Sequence, residues 1–272
     1  MNVHPKALAV APERVGSLAV RRYGDGPLLV LVHGGVGSAS HWVANLESLS
    51  RRFEVAAVEL PGYGDAPAPR EREALGYVEE VIASFAQIAP ATKRFGLVGF
   101  SFGAVISAAV ARRLGARVRA LSLLGPGGFG IPAGREVSLL PVPTGTEDST
   151  GHAAAVAHNL GAFMMARTPE PDDPVVRMQS ENIARTRFDS RKVSFQDRLI
   201  DDLRASSTPL QLIWGESDRL PVPSIAARIE LVRGARPDAE FHVVPDAGHW
   251  VQFEAPDAVD ALLIDFHERV AT

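Results

Sequence analysis

The chain has 272 residues, 28 Lys+Arg against 32 Asp+Glu for a formal charge of −4, and 46% apolar against 22% charged residues. That length suits one large domain or two small ones with a self-sufficient core, and the near-neutral balance lacks the basic face of a nucleic-acid binder. The complete absence of cysteine excludes disulfides, cysteine-based zinc and iron–sulfur sites and thiol catalysis, and is compatible with a cytoplasmic location. No apolar run approaches the roughly 18 residues of a membrane span, so none is expected. The patch Ala7 to Ala11, broken by Pro12 and Glu13, is too short for a secretory leader. Arg21-Arg22, Arg51-Arg52 and Arg112-Arg113 read as solvated surface pairs.

In chain order, Pro27-Leu28-Leu29-Val30-Leu31-Val32 is an apolar run that ends at His33-Gly34-Gly35. His41 to Leu49 follows as a short helix. Phe53 to Val58 is a second apolar run, ending at Glu59-Leu60-Pro61-Gly62. Leu75 to Ile88 places Val78, Val81, Ile82, Phe85 and Ile88 on one helical stripe. Gly96 to Val98 is a short run leading into the Ala-rich helix Phe102 to Leu114, and Val118 to Leu124 is another. From there to Ser207 no comparable run occurs. Helical patterns appear instead at Ala153 to Met165, Pro174 to Arg187 and Val193 to Leu203. The rhythm then resumes with Leu210 to Trp214, the helix Ser224 to Val232, the run Phe241 to Val244 and the helix Pro256 to Val270. Runs of this kind are strands covered on both faces. The alternation predicts an α/β fold with a mostly parallel central sheet and flanking helices. Residues 1–125 and 208–272 are expected to form the core, and 126–207 an inserted helical cap.

Gly99-Phe100-Ser101-Phe102-Gly103 matches G-x-S-x-G between a strand run and a helix, the setting of a nucleophile elbow. A serine hydroxyl needs a base beside it. His249, in Asp246-Ala247-Gly248-His249-Trp250 just past the last strand, lies at the matching sheet edge. An acid must fix the imidazole, and Asp218 after the strand Leu210 to Trp214 is the first choice, with Glu216 as the alternative. Two amides are expected to face the developing oxyanion, those of Gly35 and Phe102. Phe100, Trp250 and Arg187 are candidate substrate contacts. Arg185, Arg187, Arg191 and Lys192 form a basic cluster that would suit a carboxylate, or a solvated helix end.

The remaining motifs carry less. His33 reads as loop-shaping. His152 and His158 do not share a helical face for a metal, and His4, His41, His242 and His267 lack supporting context. Gly125 to Gly130 fits G-x-G-x-x-G, yet Pro132 and a Gly/Pro-rich stretch follow where a dinucleotide site needs a helix. No metal and no cofactor is expected.

Taken together, His33-Gly34-Gly35, Leu60-Pro61-Gly62-Tyr63-Gly64, the serine motif, Gly215-Glu216-Ser217-Asp218 and Gly248-His249-Trp250 make the chain resemble the α/β-hydrolase superfamily over nearly its whole length. Within it, the chain is similar to capped esterases and to meta-cleavage-product C–C hydrolases. It departs from the latter at Phe100, where they usually carry Asn, and at Val36-Gly37-Ser38, where they often carry Gly-Pro-Gly. The resemblance implies a serine hydrolase of small-molecule carboxylic esters or related acyl compounds. C–C bond hydrolysis is the alternative, and a non-catalytic receptor on the same scaffold is the reading from another class. A homodimer stays open.

Overall fold

A strand that is apolar at every position has to be covered on both faces. β3 (Leu28–Val32) is such a strand: Leu28, Val30 and Val32 pack into one core, Leu29 and Leu31 into the other. The computed structural model describes residues 9–131, 137–143 and 149–270. His4 and two pieces of the expected cap, 132–136 and 144–148, lie outside the described residues.

The sheet has eight strands: β1 (Glu13–Val15), β2 (Leu18–Tyr23), β3, β4 (Glu54–Glu59), β5 (Phe95–Phe100), β6 (Val118–Leu124), β7 (Leu210–Gly215) and β8 (Glu240–Val244). Their spatial order is β1-β2-β4-β3-β5-β6-β7-β8, parallel from β4 across to β8. β1 and β2 join as antiparallel strands that the sequence reading missed. Arg21-Arg22 disguised β2. Arg21 is not a solvated surface residue but is 7% exposed, with its guanidinium paired to Glu59 and Asp65.

Helices α1 (Leu46–Ser50), α2 (Ala74–Phe85), α3 (Phe102–Leu114), α8 (Ile225–Ala235), α9 (Val251–Glu254) and α10 (Pro256–Arg269) flank the sheet. Val81, Phe85, Ile106 and Val232 place α2, α3 and α8 on one core, while Leu46, Phe253 and Leu263 place α1, α9 and α10 on the other. Between β6 and β7 lies the helical insertion. It comprises α4 (Ser149–Asn159), which runs into a π turn at Leu160–Met164, then α5 (Pro174–Ala184), α6 (Arg191–Ser194) and α7 (Leu199–Arg204). Asp173 caps α5 through Val175 N–H at 2.9 Å, with Pro174 in the first turn. The expected single helix at 193–203 is broken in two. Gly128 intervenes, its N–H bonding Ser194 O and its carbonyl accepting from Arg198 and Leu199 N–H. The expected helix at 41–49 likewise becomes a 3₁₀ turn, Ala39–Trp42, followed by α1. Among the described residues no helix is long and apolar enough to cross a membrane.

In an open sheet of this order, ligands gather beyond the carboxyl ends of the strands. The ends of β3 and β5 are neighbours, and the loops after β7 and β8 lie along the same edge. One buried tie steadies the loop after β3. Asn45 Nδ2 donates to Asp260 Oδ1 at 2.8 Å and to Gln252 O at 3.0 Å, joining the start of α1 to α9 and α10. Burial pushes the Asp260 carboxyl up to about 7, against the pull of its Asn45 bond. An acid raised in the folded state holds a proton that the unfolded chain has already released. Stability therefore falls as pH climbs from the ordinary aspartate range to about 7, and is flat above it. Asp260→Asn, which keeps the acceptor and cannot ionise, is expected to exceed the wild type in urea midpoint at pH 8. That advantage shrinks toward pH 4.5; a pH-independent difference between the two proteins would refute the assignment.

Candidate functional site

The serine motif folds as a sharp turn between β5 and α3. Ser101 takes φ 53° and ψ −109°, a backbone conformation that costs a non-glycine residue about 1–3 kcal/mol. Its N–H bonds Leu124 O at 2.8 Å, which anchors the turn to β6. Gly99 and Gly103 make the turn sterically feasible. A Cβ on Gly99 would lie 2.5 Å from Gly103 O, and one on Gly103 would lie 2.4 Å from His33 O. The serine side chain is half-buried at the sheet rim. Phe102, the first residue of α3, carries an amide with no intrahelical partner.

His249 and Asp218 come together from the loops after β8 and β7. Nδ1 of His249 lies 2.8 Å from Asp218 Oδ2, and both residues are buried, at 3% and 8% exposure. A carboxylate can only accept, so Nδ1 is the donor and Nε2 is left as the basic nitrogen. Asp218 Oδ1 in turn accepts from Leu220 N–H at 2.9 Å. Glu216, the other acid weighed from sequence, is exposed. Gly125, directly after the Leu124 that anchors Ser101, packs on this pair. A Cβ there would be 2.9 Å from His249 Nδ1 and 3.3 Å from Asp218 Oδ2. Gly125 is thus part of the wall of this site, whereas Gly127, Gly128 and Gly130 face Ser194, Leu199 and Asp197 of the insertion.

The loop after β3 is held by two buried imidazoles in opposite tautomers. His33 Nε2 accepts from Leu60 N–H at 3.1 Å, so its Nδ1 carries the proton and donates to Gly34 O at 2.6 Å. His41 Nδ1 accepts from Gly34 N–H at 3.2 Å. Both ends of Gly34 are thereby fixed beside Gly35. Burial lowers the His33 pKa to about 4 and drives that of His41 well below the ordinary range, keeping both neutral. The insertion closes on the same loop. Gln179 Nε2 donates to Val36 O at 2.9 Å, and Asn182 Oδ1 accepts from Ser38 Oγ at 2.8 Å. Ser190 packs on Gly35 so closely that a Cβ there would meet its Oγ at 2.3 Å. Sequence reasoning left His41 without a role and missed Gln179, Asn182 and Ser190. Their significance is purely spatial, and no short-range pattern announces it.

The expected substrate contacts are placed differently. Phe100 and Trp250 are fully buried. The Phe100 ring lies 5.0 Å from that of His249 and 5.5 Å from that of His41, and Trp250 Nε1 donates to His41 O at 3.0 Å. Both pack the histidines from behind. Arg187 is exposed, and its Nη2 donates to Ala66 O at 2.5 Å. Its neighbours are engaged as well: Arg185 with Asp65, Arg191 with Asp189 and Lys192 with Glu73. The basic cluster is a set of paired surface groups. Among the described residues no group of three or more His, Asp or Glu is placed to hold a metal ion.

Comparison with known proteins agrees with this architecture. The chain is 28% identical, over 89% of its length, to the dihydrolipoyllysine-residue acetyltransferase component of an acetoin cleaving system from Pseudomonas putida, spanning 63% of that longer chain. It is 29% identical to a 2-hydroxy-6-oxo-2,4-heptadienoate hydrolase of Pseudomonas putida, over 89% of this chain and 90% of that one. Among solved structures it resembles a membrane phospholipase A described as a bacterial virulence factor, at 25% identity and a TM-score of 0.72, covering 94% of this chain and 83% of the other. Residues 29–262 match the alpha/beta hydrolase family. With the match spanning most of the chain, from β3 to α10, the protein belongs to the alpha/beta hydrolase family.

Proposed function

We propose that this hydrolase cleaves small carboxylic esters through an acyl-enzyme on Ser101, under a cap formed by residues 126–207. The observation that carries the reading is the buried 2.8 Å contact between His249 Nδ1 and Asp218 at the rim where the strained Ser101 stands. His249 Nε2 takes the hydroxyl proton as Ser101 Oγ bonds to the carbonyl carbon. The carbonyl π electrons move onto oxygen, and the Gly35 and Phe102 amides stabilise that charge. Collapse of the adduct breaks the C–O bond, and the imidazolium gives its proton to the departing alcohol. Water, deprotonated by the same nitrogen, then splits the acyl-serine into free acid and serine. Asp218 holds the tautomer and balances the transient imidazolium.

C–C hydrolysis is a second reading, favoured by the resemblance to the heptadienoate hydrolase. Acting on an anionic dienolate would call for a cation to hold its carboxylate. The Ala66 and Gly64 carbonyls engage Arg187, and Asp65 engages Arg185, which favours neutral esters. A panel of p-nitrophenyl esters, lactones, thioesters and a ring-cleavage dienolate separates the readings. Ester turnover with an untouched dienolate supports the first; the reverse supports the second. Saturable ligand binding without any turnover would point to a receptor.

Ser101→Ala is expected to keep its Tm and lose roughly 10³-fold or more in kcat. Asp218→Asn is expected to lose several orders of magnitude in kcat, whereas Glu216→Gln, at an exposed site, stays near wild type. If Glu216→Gln is the more damaging, Asp218 is the wrong acid.

Gly35→Ala tests the oxyanion loop. Its new methyl collides with Ser190, so kcat is expected to fall as the connection between α5 and α6 is pushed off the loop after β3. The double variant Gly35→Ala/Ser190→Gly removes the obstacle and recovers much of the lost rate. Failure of the second substitution to rescue would show that the collision is not the cause.

A further inference from the structure

The backbone around His249 is tied down on both sides. Ala247 O accepts from Ser217 N–H at 2.8 Å, and Trp250 N–H donates to Met164 O at 2.7 Å. Both are backbone pairs. The amide between them is handled differently: Gly248 N–H donates to a side chain, Glu254 Oε2, at 2.7 Å. The same carboxylate accepts Ala166 N–H, at 3.0 Å on Oε1 and 3.1 Å on Oε2. Ala166 lies just past the π turn of the cap. The two segments meet backbone to backbone, since a Cβ on Gly248 would lie 2.6 Å from Ala166 N and 2.7 Å from Met165 C.

Glu254 ends α9, the four-residue helix that follows the histidine loop. Its side chain therefore reaches back and closes a ring from Gly248 to Glu254. Half-buried, it makes charge-assisted bonds to two amides that belong to different parts of the fold. Burial raises its carboxyl above the ordinary glutamate range, while the Gly248 and Ala166 amides and the charge of Arg167 pull it back. Nothing in the proposed chemistry uses this acid.

We infer that Glu254 is a positioning residue: by tying the Gly248 amide to the cap at Ala166, it fixes the peptide that carries His249. The inference rests on the proposed Ser101–His249 chemistry. Proton transfer demands a base held to a fraction of an ångström, and His249 sits on an irregular loop whose frame is set by such ties. Asp218 orients the ring, whereas Glu254 orients the backbone from which the ring projects.

The test measures kcat, KM and fluorophosphonate inactivation of Ser101 in Glu254→Gln and Glu254→Ala, beside Ser101→Ala, with p-nitrophenyl butyrate as substrate. In Glu254→Ala, kcat is expected to fall about 100-fold, the scale of an ångström-sized misplacement. KM should stay within about twofold, and inactivation should slow in step with kcat. Glu254→Gln keeps one acceptor oxygen but turns an NH₂ group toward the other amide. Its kcat is expected to lie between Ala and wild type, and it decides the matter if the Ala variant does not fold. An unchanged kcat in the folded variants overturns the inference. So does a raised KM with intact kcat, which would reduce Glu254 to docking the cap. Ester turnover by Ser101→Ala would sink the underlying chemistry instead, whatever Glu254 does.

Discussion

The turn at Ser101 is the constraint on which the arrangement depends. A side chain can be lifted clear of a sheet edge, with its amide neighbour pointing the same way, if the backbone reverses within one residue. Doing so forces a positive φ on a residue that disfavours it. Two glycines then have to flank the serine, because the chain passes within 2.6 Å of where their Cβ atoms would stand. The parallel sheet meets the cost by burying the rest of β5 and nearly all of α3. Among the described residues, the non-glycine positions at positive φ are Val36, Ser101 and Asp246. They lie in the loop after β3, the elbow after β5 and the loop leading to His249. Strain is gathered at one rim of the sheet, while the strands behind it are regular.

Burial works on the histidines of this rim in two ways. His33 and His41 are enclosed among aromatic and aliphatic groups and stay neutral, which their hydrogen bonds require. A protonated His41 could not accept the Gly34 amide, and a protonated His33 would have no lone pair for Leu60 N–H. His249 is equally enclosed but has a carboxylate at its back. An imidazole with a buried anion beside it can accept a proton without facing it alone. One residue type thus supplies both rigid scaffold and proposed base, and the difference lies in the presence of Asp218.

How much of this the sequence disclosed follows from the reach of each signal. β3 was legible because double burial leaves an unbroken apolar run, Leu28–Val32, and β6 because its apolar residues outnumber Arg119 and Ser122. β2 was not, because Arg21 and Arg22 interrupt it; their partners Glu59, Asp65 and Glu54 are remote in sequence. Ser101, Asp218 and His249 stood out because each follows a strand end. The long helix expected at 193–203 did not form, since backbone pairing with Gly128 outcompetes its middle turn. Phe100, Trp250 and Arg187 were legible as residues but not as surfaces. Whether an aromatic faces a cavity or the core is decided by packing across the sheet, and an arginine's partner is invisible to local pattern. Asn182 and Ser38 are 144 positions apart, yet share a hydrogen bond of 2.8 Å.

The insertion is built into the site at two separate places. Through Gln179, Asn182 and Ser190 it holds the loop of the expected oxyanion donor. Through Met164 and Ala166 it holds the loop of His249. An insertion that swung away as one rigid body would have to break both sets of bonds and would release both loops. The geometry favours a different division of labour, in which α5 and the π turn stay docked and act as scaffold. Under the proposed ester chemistry, accommodation of the acyl group then falls to side chains between those anchors. Substitutions at the anchors should be read in kcat, and substitutions between them in KM and substrate choice.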